Sequence, residues 1–222
     1  MLSISKMVSG QKEGGDYLRY QIGGRPPGPV VVWNSTRACN LRCRHCYASA
    51  TAGPAEGELT TAEAKRFIEG LAKARVPVLL FSGGEPLMRP DFFELVAYAR
   101  AQGIRPVIST NGTLISLEVA RRIKEAGVGY VGISLDGLEE LNDRMRKVEG
   151  AFQMALTGIR NCVAVGQRVG LRFTITRENY RDIAAIFDLV EREGINRVCF
   201  YHLVSVGRGV NLRDQDLDPA TK

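Results

Sequence analysis

Val78-Leu79-Leu80-Phe81-Ser82-Gly83-Gly84-Glu85-Pro86 is a short strand-type run that breaks on two glycines. A stretch of helical period, Pro90–Gln102, follows it and stops at Gly103, and the next apolar run begins at Pro106. A run of this kind, too short for a helix and followed by an amphipathic segment, reads as a βα unit. From Val30 onward the same unit recurs. The strands read as Val30–Asn34, Val78–Ser82, Pro106–Thr110, Tyr130–Leu135, Gly170–Thr176 and Arg197–Leu203. The helices read as Thr61–Ala74, Pro90–Gln102, Leu117–Ala126, Ala151–Val165 and Tyr180–Glu193. Gly103, Gly127 and Gly194 each stand at a helix stop, where a left-handed cap is wanted. Thr60 or Thr61 with Glu63, and Ser116 with Glu118, stand at helix starts. Strands alternating with helices imply an α/β fold with a parallel sheet and right-handed crossovers, either barrel-like or open. In both forms, ligand sites gather beyond the carboxyl ends of the strands.

The chain has 222 residues, of which 45% are hydrophobic and 24% charged, an ordinary soluble composition. Residues 1–29 are rich in Gly and Pro and read as an extended leader, with one edge strand at Tyr17–Ile22. Residues 30–210 form the core domain, and 211–222 read as the start of a C-terminal extension that the chain does not continue. Asp218 and Pro219 would cap its first helix. No run is long enough to span a bilayer, and the amino terminus lacks the apolar core of an export signal. Five cysteines, three of them clustered, point to a metal site in a reducing compartment, so a cytoplasmic location is expected. The net charge of +6 suits an anionic small-molecule substrate. No basic run is interleaved with aromatics, so nucleic acid is not expected as a partner.

Every chemically suggestive motif falls at a strand end. Cys39-Asn40-Leu41-Arg42-Cys43-Arg44-His45-Cys46 follows the first strand. Three thiolates so close can hold three corners of a cubane iron–sulfur cluster while leaving its fourth iron open. Zinc held by the same cysteines and His45 is the alternative. It is weaker, because structural zinc sites bring paired ligands from two loops. Gly83-Gly84-Glu85-Pro86 offers a glycine turn open to a ligand and a carboxylate for an ammonium group, although such turns are also common without ligands. Asn111, Ser134 and Asp136 can bond sugar hydroxyls or an amino-acid carboxylate, against the plainer reading of Asn-Gly and Asp-Gly as turn formers. Arg146 reads as a solvated charge or a bidentate carboxylate grip. Cys162 and Cys199 read as buried small hydrophobes. His202 reads as scaffold or as a proton donor, and Arg208 as loop charge or a substrate-carboxylate contact, so these two are the only catalytic candidates.

Taken together these residues resemble the radical S-adenosylmethionine superfamily, with its Cys-x3-Cys-x-φ-Cys signature at Cys39, Cys43 and Cys46. His45 stands where an aromatic is usual. The resemblance implies a partial (β/α)6 TIM-type barrel, a [4Fe-4S] cluster and S-adenosyl-L-methionine. It gives Gly83, Gly84 and Glu85 to the methionine amino group, Ser134 to the ribose and Arg146 to the carboxylate. One-electron cleavage would yield a 5′-deoxyadenosyl radical that abstracts a substrate hydrogen, with flavodoxin or ferredoxin as external donor. Pro26–Asn34, Arg75–Val78, Tyr130–Gly137, Gly170–Thr174 and Gly207–Gly209 look like the tetrapyrrole-modifying branch, which acts on acetate and propionate side chains of haem and haem d1 precursors. The rival readings are a radical maturase for a ribosomal peptide or partner protein, and a non-catalytic metal or iron–sulfur module.

Overall fold

The computed structural model describes residues 28–218. Six strands lie in one sheet in the order of the chain: β1 (Val31–Thr36), β2 (Val78–Gly83), β3 (Arg105–Thr110), β4 (Val131–Ser134), β5 (Val169–Ile175) and β6 (Val198–His202). Every adjacent pair is parallel. Among the described residues β1 and β6 do not pair with each other, so the sheet stays open as a partial TIM-type barrel. The helices are α1 (Thr61–Lys73), α2 (Phe92–Ala101), α3 (Leu117–Glu125), α4 (Glu139–Arg146), α5 (Ala151–Ala164) and α6 (Ile183–Arg192).

Strand alternation sorts the two faces of the sheet. Leu79, Phe81, Ile108, Val131, Ile133, Leu171 and Phe173 are fully buried under the helices. The residues between them, such as Val32, Asn34, Leu80, Val107, Ser109, Arg172 and Thr174, face the other way and keep contact with solvent. Period-two projection therefore makes one face a core and the other the lining of an open lumen. Trp33 joins the core from β1, its ring 5.3 Å from Phe67 on α1 and 5.6 Å from Phe81. Truncating a fully buried ring such as Phe81 costs about 3–5 kcal/mol.

The expected caps are present. The Thr60 side chain accepts from Glu63 N while the Glu63 carboxylate accepts from Thr60 N, closing a capping box on α1. The Ser116 hydroxyl accepts from Val119 N, so Glu118 takes no part in that cap. Gly103, Gly127 and Gly194 all have positive φ at helix stops.

Three readings change. The segment Glu139–Arg146, which is not among the expected helices, is helix α4. Its residues are mostly charged, so no apolar period announces it. The helix expected at Tyr180–Glu193 divides into a 3-10 turn, Tyr180–Asp182, and α6. A kinked run of 3-10 turns, Gly207–Gln215, crosses the expected boundary at residue 210. The edge strand expected at Tyr17–Ile22, and Pro219 in the expected C-terminal helix, lie outside the described residues.

Candidate cluster and cofactor site

The loop carrying the three cysteines leaves the end of β1 and is closed at its base by backbone. Cys39 N donates to Thr51 O (2.7 Å) and Thr51 N to Arg37 O (2.9 Å). Its far side docks on the carboxyl end of α4, where Arg42 N donates to Arg146 O (3.3 Å) and Arg44 N to Met145 O (2.9 Å). Free C-terminal carbonyls of a helix are natural acceptors for such contacts. Arg208 closes the loop from a third direction: Nε donates to Cys43 O (2.8 Å), Nη1 to Ala50 O (2.7 Å) and its backbone N to Cys46 O (3.0 Å). Two of its guanidinium nitrogens are thus engaged by the cysteine loop, and Nη2 has no hydrogen-bond partner among the described residues.

The three cysteines share one nest with Leu41, Val148 and Ala151. Each sulfur accepts an N–H: Cys39 from Leu41 N (3.4 Å), Cys43 from Arg146 Nη1 (3.5 Å) and Cys46 from Ala50 N (3.4 Å). Asn111 Nδ2 lies 3.8 Å from the Cys39 sulfur as well. Burial, with Glu85 and Cys43 nearby, pushes the Cys39 thiol up to about 11, so without metal it stays protonated. Metal binding must displace that proton. N–H donors at every sulfur suit the inorganic cluster that three thiolates can hold, and such bonds tune its potential. His45, the fourth ligand a zinc reading would need, is turned away to Asp136. The donor set fits an iron–sulfur cluster.

Behind the loop sits a buried polar group. Asp136, wholly inaccessible at the end of β4, meets Arg146 Nη2 at 2.5 Å and His45 Nε2 at 3.3 Å. Its Oδ1 accepts from Thr174 N (3.2 Å), and Asn142 Oδ1 accepts from Asp136 N (3.1 Å). Asn179 Nδ2 bonds both Asp136 O (3.0 Å) and Thr174 O (2.8 Å). Burial lowers the His45 pKa against the opposing pull of Asp136, so the imidazole is neutral; its Nδ1 has no hydrogen-bond partner among the described residues. Arg146 is therefore no solvated charge. It is buried and its pKa is raised, chiefly by Asp136 and Cys43 against the opposing cost of burial.

On the other flank, Glu85 is fully buried and accepts from Thr110 Oγ1 (2.8 Å), Asn111 N (2.8 Å) and Leu87 N (3.1 Å). Burial raises its pKa to about 6. Both oxygens are engaged, and the carboxylate ties the end of β2 to β3. The glycines before it serve contact between strand ends. Gly84 N donates to Thr36 O and Glu85 N to Ala38 O, both at 2.7 Å. A Cβ on Gly84 would lie 2.2 Å from the Ala38 carbonyl oxygen. The close backbone approach at Gly84 is to the backbone of the cysteine loop.

The structure thus gathers Cys39, Cys43, Cys46, His45, Glu85, Asn111, Asp136 and Arg146 on one rim. Gly83 and Gly84 lie beneath them and Ser134 at the tip of β4. His202 does not join them: it is exposed and shares the register of Phe200, which packs on Phe173 and Phe187 on the helix side. Sequence reasoning missed Asn142 and Asn179, whose bonds to Asp136 leave no local signal. It also missed Tyr47, whose hydroxyl donates to Asn34 Oδ1 at 2.8 Å.

The sequence pattern of the Radical SAM superfamily matches residues 33–190. The chain is 53% identical over 228 aligned residues to Fe-coproporphyrin III synthase of Methanosarcina barkeri, covering 98% of this chain and 57% of that protein. It is 45% identical over 200 residues to pre-heme d1 synthase of Dinoroseobacter shibae, covering 90% and 50%. The chain spans about half the length of these curated relatives. Streptococcus suis SuiB bound to S-adenosylmethionine shares the fold, with a TM-score of 0.74 at 19% identity over 88% of this chain and 45% of that one. The chain belongs to the radical S-adenosylmethionine superfamily, whose cofactors are a [4Fe-4S] cluster and S-adenosylmethionine.

Proposed function

We propose that this chain is the core of an enzyme that alters acetate or propionate side chains of a haem or haem d1 precursor. The observation that carries the reading is its 53% identity, over nearly the whole chain, to a protein named Fe-coproporphyrin III synthase. When bound, the cluster and S-adenosylmethionine supply the one-electron cleavage and the hydrogen-abstracting radical. The chain's own residues bind and orient.

Cys39, Cys43 and Cys46 would hold three irons, and the N–H groups at each sulfur favour the thiolate form that iron requires. Arg146 carries positive charge between the Cys43 sulfur and the rim, where a methionine carboxylate would sit. Asp136 and Asn142 fix its helix against β4. Ser134 and Asn111 would face the nucleoside. The donor in this reading is a small flavodoxin or ferredoxin, and the compartment is the cytoplasm. Among the described residues, no helix is long and apolar enough to cross a membrane.

The peptide-maturase reading is weaker, since the chain is 40% identical over 167 residues to mycofactocin maturase MftC of Mycobacterium tuberculosis, covering 74% of this chain, against 53% over 98% for Fe-coproporphyrin III synthase. Anaerobic reconstitution with iron and sulfide, followed by dithionite and S-adenosylmethionine, separates an enzyme from a binding module. Iron-coproporphyrin, didecarboxysirohaem and a candidate peptide are then compared as accelerators of 5′-deoxyadenosine formation. Mass change in a tetrapyrrole is the expected result. Turnover of the peptide alone would overturn the reading.

A further inference from the structure

The lumen face of the sheet carries cations that no described residue neutralises. Arg172 projects from the middle of β5, with its guanidinium carbon 4.6 Å from the centre of the Tyr201 ring. Arg197, just before β6, lies 5.6 Å from the centre of the Tyr130 ring. Neither guanidinium has an ion-pair partner among the described residues, although Arg144, Arg146, Arg160 and Arg192 all have one. The Tyr130 hydroxyl is buried and has no hydrogen-bond partner among the described residues. Burial raises its pKa, so it stays a neutral donor.

Two glycines make this arrangement possible. Gly132 and Gly170 are paired across β4 and β5. A Cβ on Gly132 would lie 2.8 Å from Arg172 Cδ, and one on Gly170 would lie 2.3 Å from the Tyr130 hydroxyl. The bare backbone there is the floor on which the two side chains lie flat. In register, Arg172 stands beside Ser134, so the cationic patch lies on the same inner face as the rim residue nearest the cofactor site. A guanidinium that bonds Tyr201 but meets no carboxylate among the described residues, with the Tyr130 hydroxyl beside it, keeps donors that a carboxylate accepts.

We propose that Arg172, supported by Arg197 and Tyr130, forms a carboxylate subsite in the lumen that grips one acidic arm of the substrate and sets which neighbouring arm reaches the rim. The identity of that substrate rests on the tetrapyrrole reading above; the subsite itself rests on the lumen geometry. Tyr201 and Tyr130 would flank the arm with their rings.

The test is equilibrium binding rather than turnover. The reconstituted full-length protein, wild type and Arg172→Gln, Arg172→Lys and Arg197→Gln, is titrated with iron-coproporphyrin III and with its tetramethyl ester. Thermal melting and cluster absorbance serve as fold controls. Arg172→Gln is expected to weaken binding of the acid at least tenfold and leave the ester unchanged, with Arg172→Lys intermediate. Equal affinity of wild type and Arg172→Gln for the acid overturns the subsite, as does an ester bound as tightly as the acid by wild type. Should wild type bind no tetrapyrrole, the functional reading fails separately. Glutarate, followed by chemical-shift perturbation, then reports on the subsite alone: shifts lost in Arg172→Gln uphold it, and shifts equal to wild type overturn it. If Arg172→Gln does not fold, Arg172→Lys carries the same comparisons.

Discussion

Replacing Asp136 by Asn isolates the largest electrostatic commitment in the structure. Asp136 is wholly buried and Arg146 is 6% exposed, with their charged atoms 2.5 Å apart. Removing one member of a buried ion pair strands the other charge and costs about 3–5 kcal/mol. The Asn amide keeps a carbonyl for Thr174 N, so the lower end, about 3 kcal/mol, is expected. Urea unfolding of cluster-free protein under reducing conditions, followed by far-ultraviolet circular dichroism, measures the change in midpoint at constant slope. The partner variant Arg146→Met should cost a similar amount, since it strands Asp136. The double variant removes both charges and should cost less than the sum, with a coupling energy of about 2 kcal/mol. Additive losses, or a single-variant loss below about 1 kcal/mol, would show that Asp136 and Arg146 do not support each other as their positions imply.

Other consequences follow from neighbouring residues. Glu85 ionises near pH 6 when folded against 4.5 for its ordinary value. The folded chain thus holds a proton that the unfolded chain has released, and the Glu85 contribution to stability falls as pH rises from about 4.5 to about 6, by roughly 2 kcal/mol. Wild type minus Glu85→Gln stability, measured across that window, should show this slope; a flat difference refutes it. Arg208→Met removes charge-assisted bonds to the Cys43 and Ala50 carbonyls. It should loosen the cysteine loop by about 2–3 kcal/mol, read as faster loss of iron to a chelator, and an unchanged rate would exclude a clasping role. Gly84→Ala drives a methyl against the Ala38 carbonyl and should cost about 1–3 kcal/mol with poorer iron uptake. Gly70→Ala, in open space on α1, should instead stabilise by up to about 1 kcal/mol in the same melting assay.

The βα units were legible because short apolar runs and capping residues are local signals. Thr60 with Glu63, and the glycines after α2, α3 and α6, stop and start helices using atoms within a few positions of themselves. The cysteines were legible for the same reason: their spacing alone limits what they can ligate. What the sequence hid is the set of contacts that converge from far along the chain. Helix α4 lacks an apolar stripe, so Arg146 looked like surface charge. Its burial depends on Asp136, ten positions earlier, and on a sulfur on another loop. Arg208 is separated from its acceptors by more than 150 positions, and those acceptors are carbonyls, which every residue possesses. Arg172 carries no motif at all, and the room it occupies comes from Gly132 on the neighbouring strand.

These hidden contacts share a physical pattern. In each, an arginine or carboxylate near the rim fixes a ligand-type residue, through its backbone or through its side chain. Glu85 fixes Asn111, Arg208 fixes the Cys43 and Cys46 backbone, and Asp136 fixes Arg146. A loop that must hold three thiols at set positions before any metal arrives cannot rely on apolar packing alone, since its nest is small. Charge-assisted bonds to carbonyls supply direction as well as energy. Arg172 and Arg197 break the pattern, because among the described residues their guanidiniums meet tyrosine rings and no carboxylate, and the proposed subsite rests on that difference.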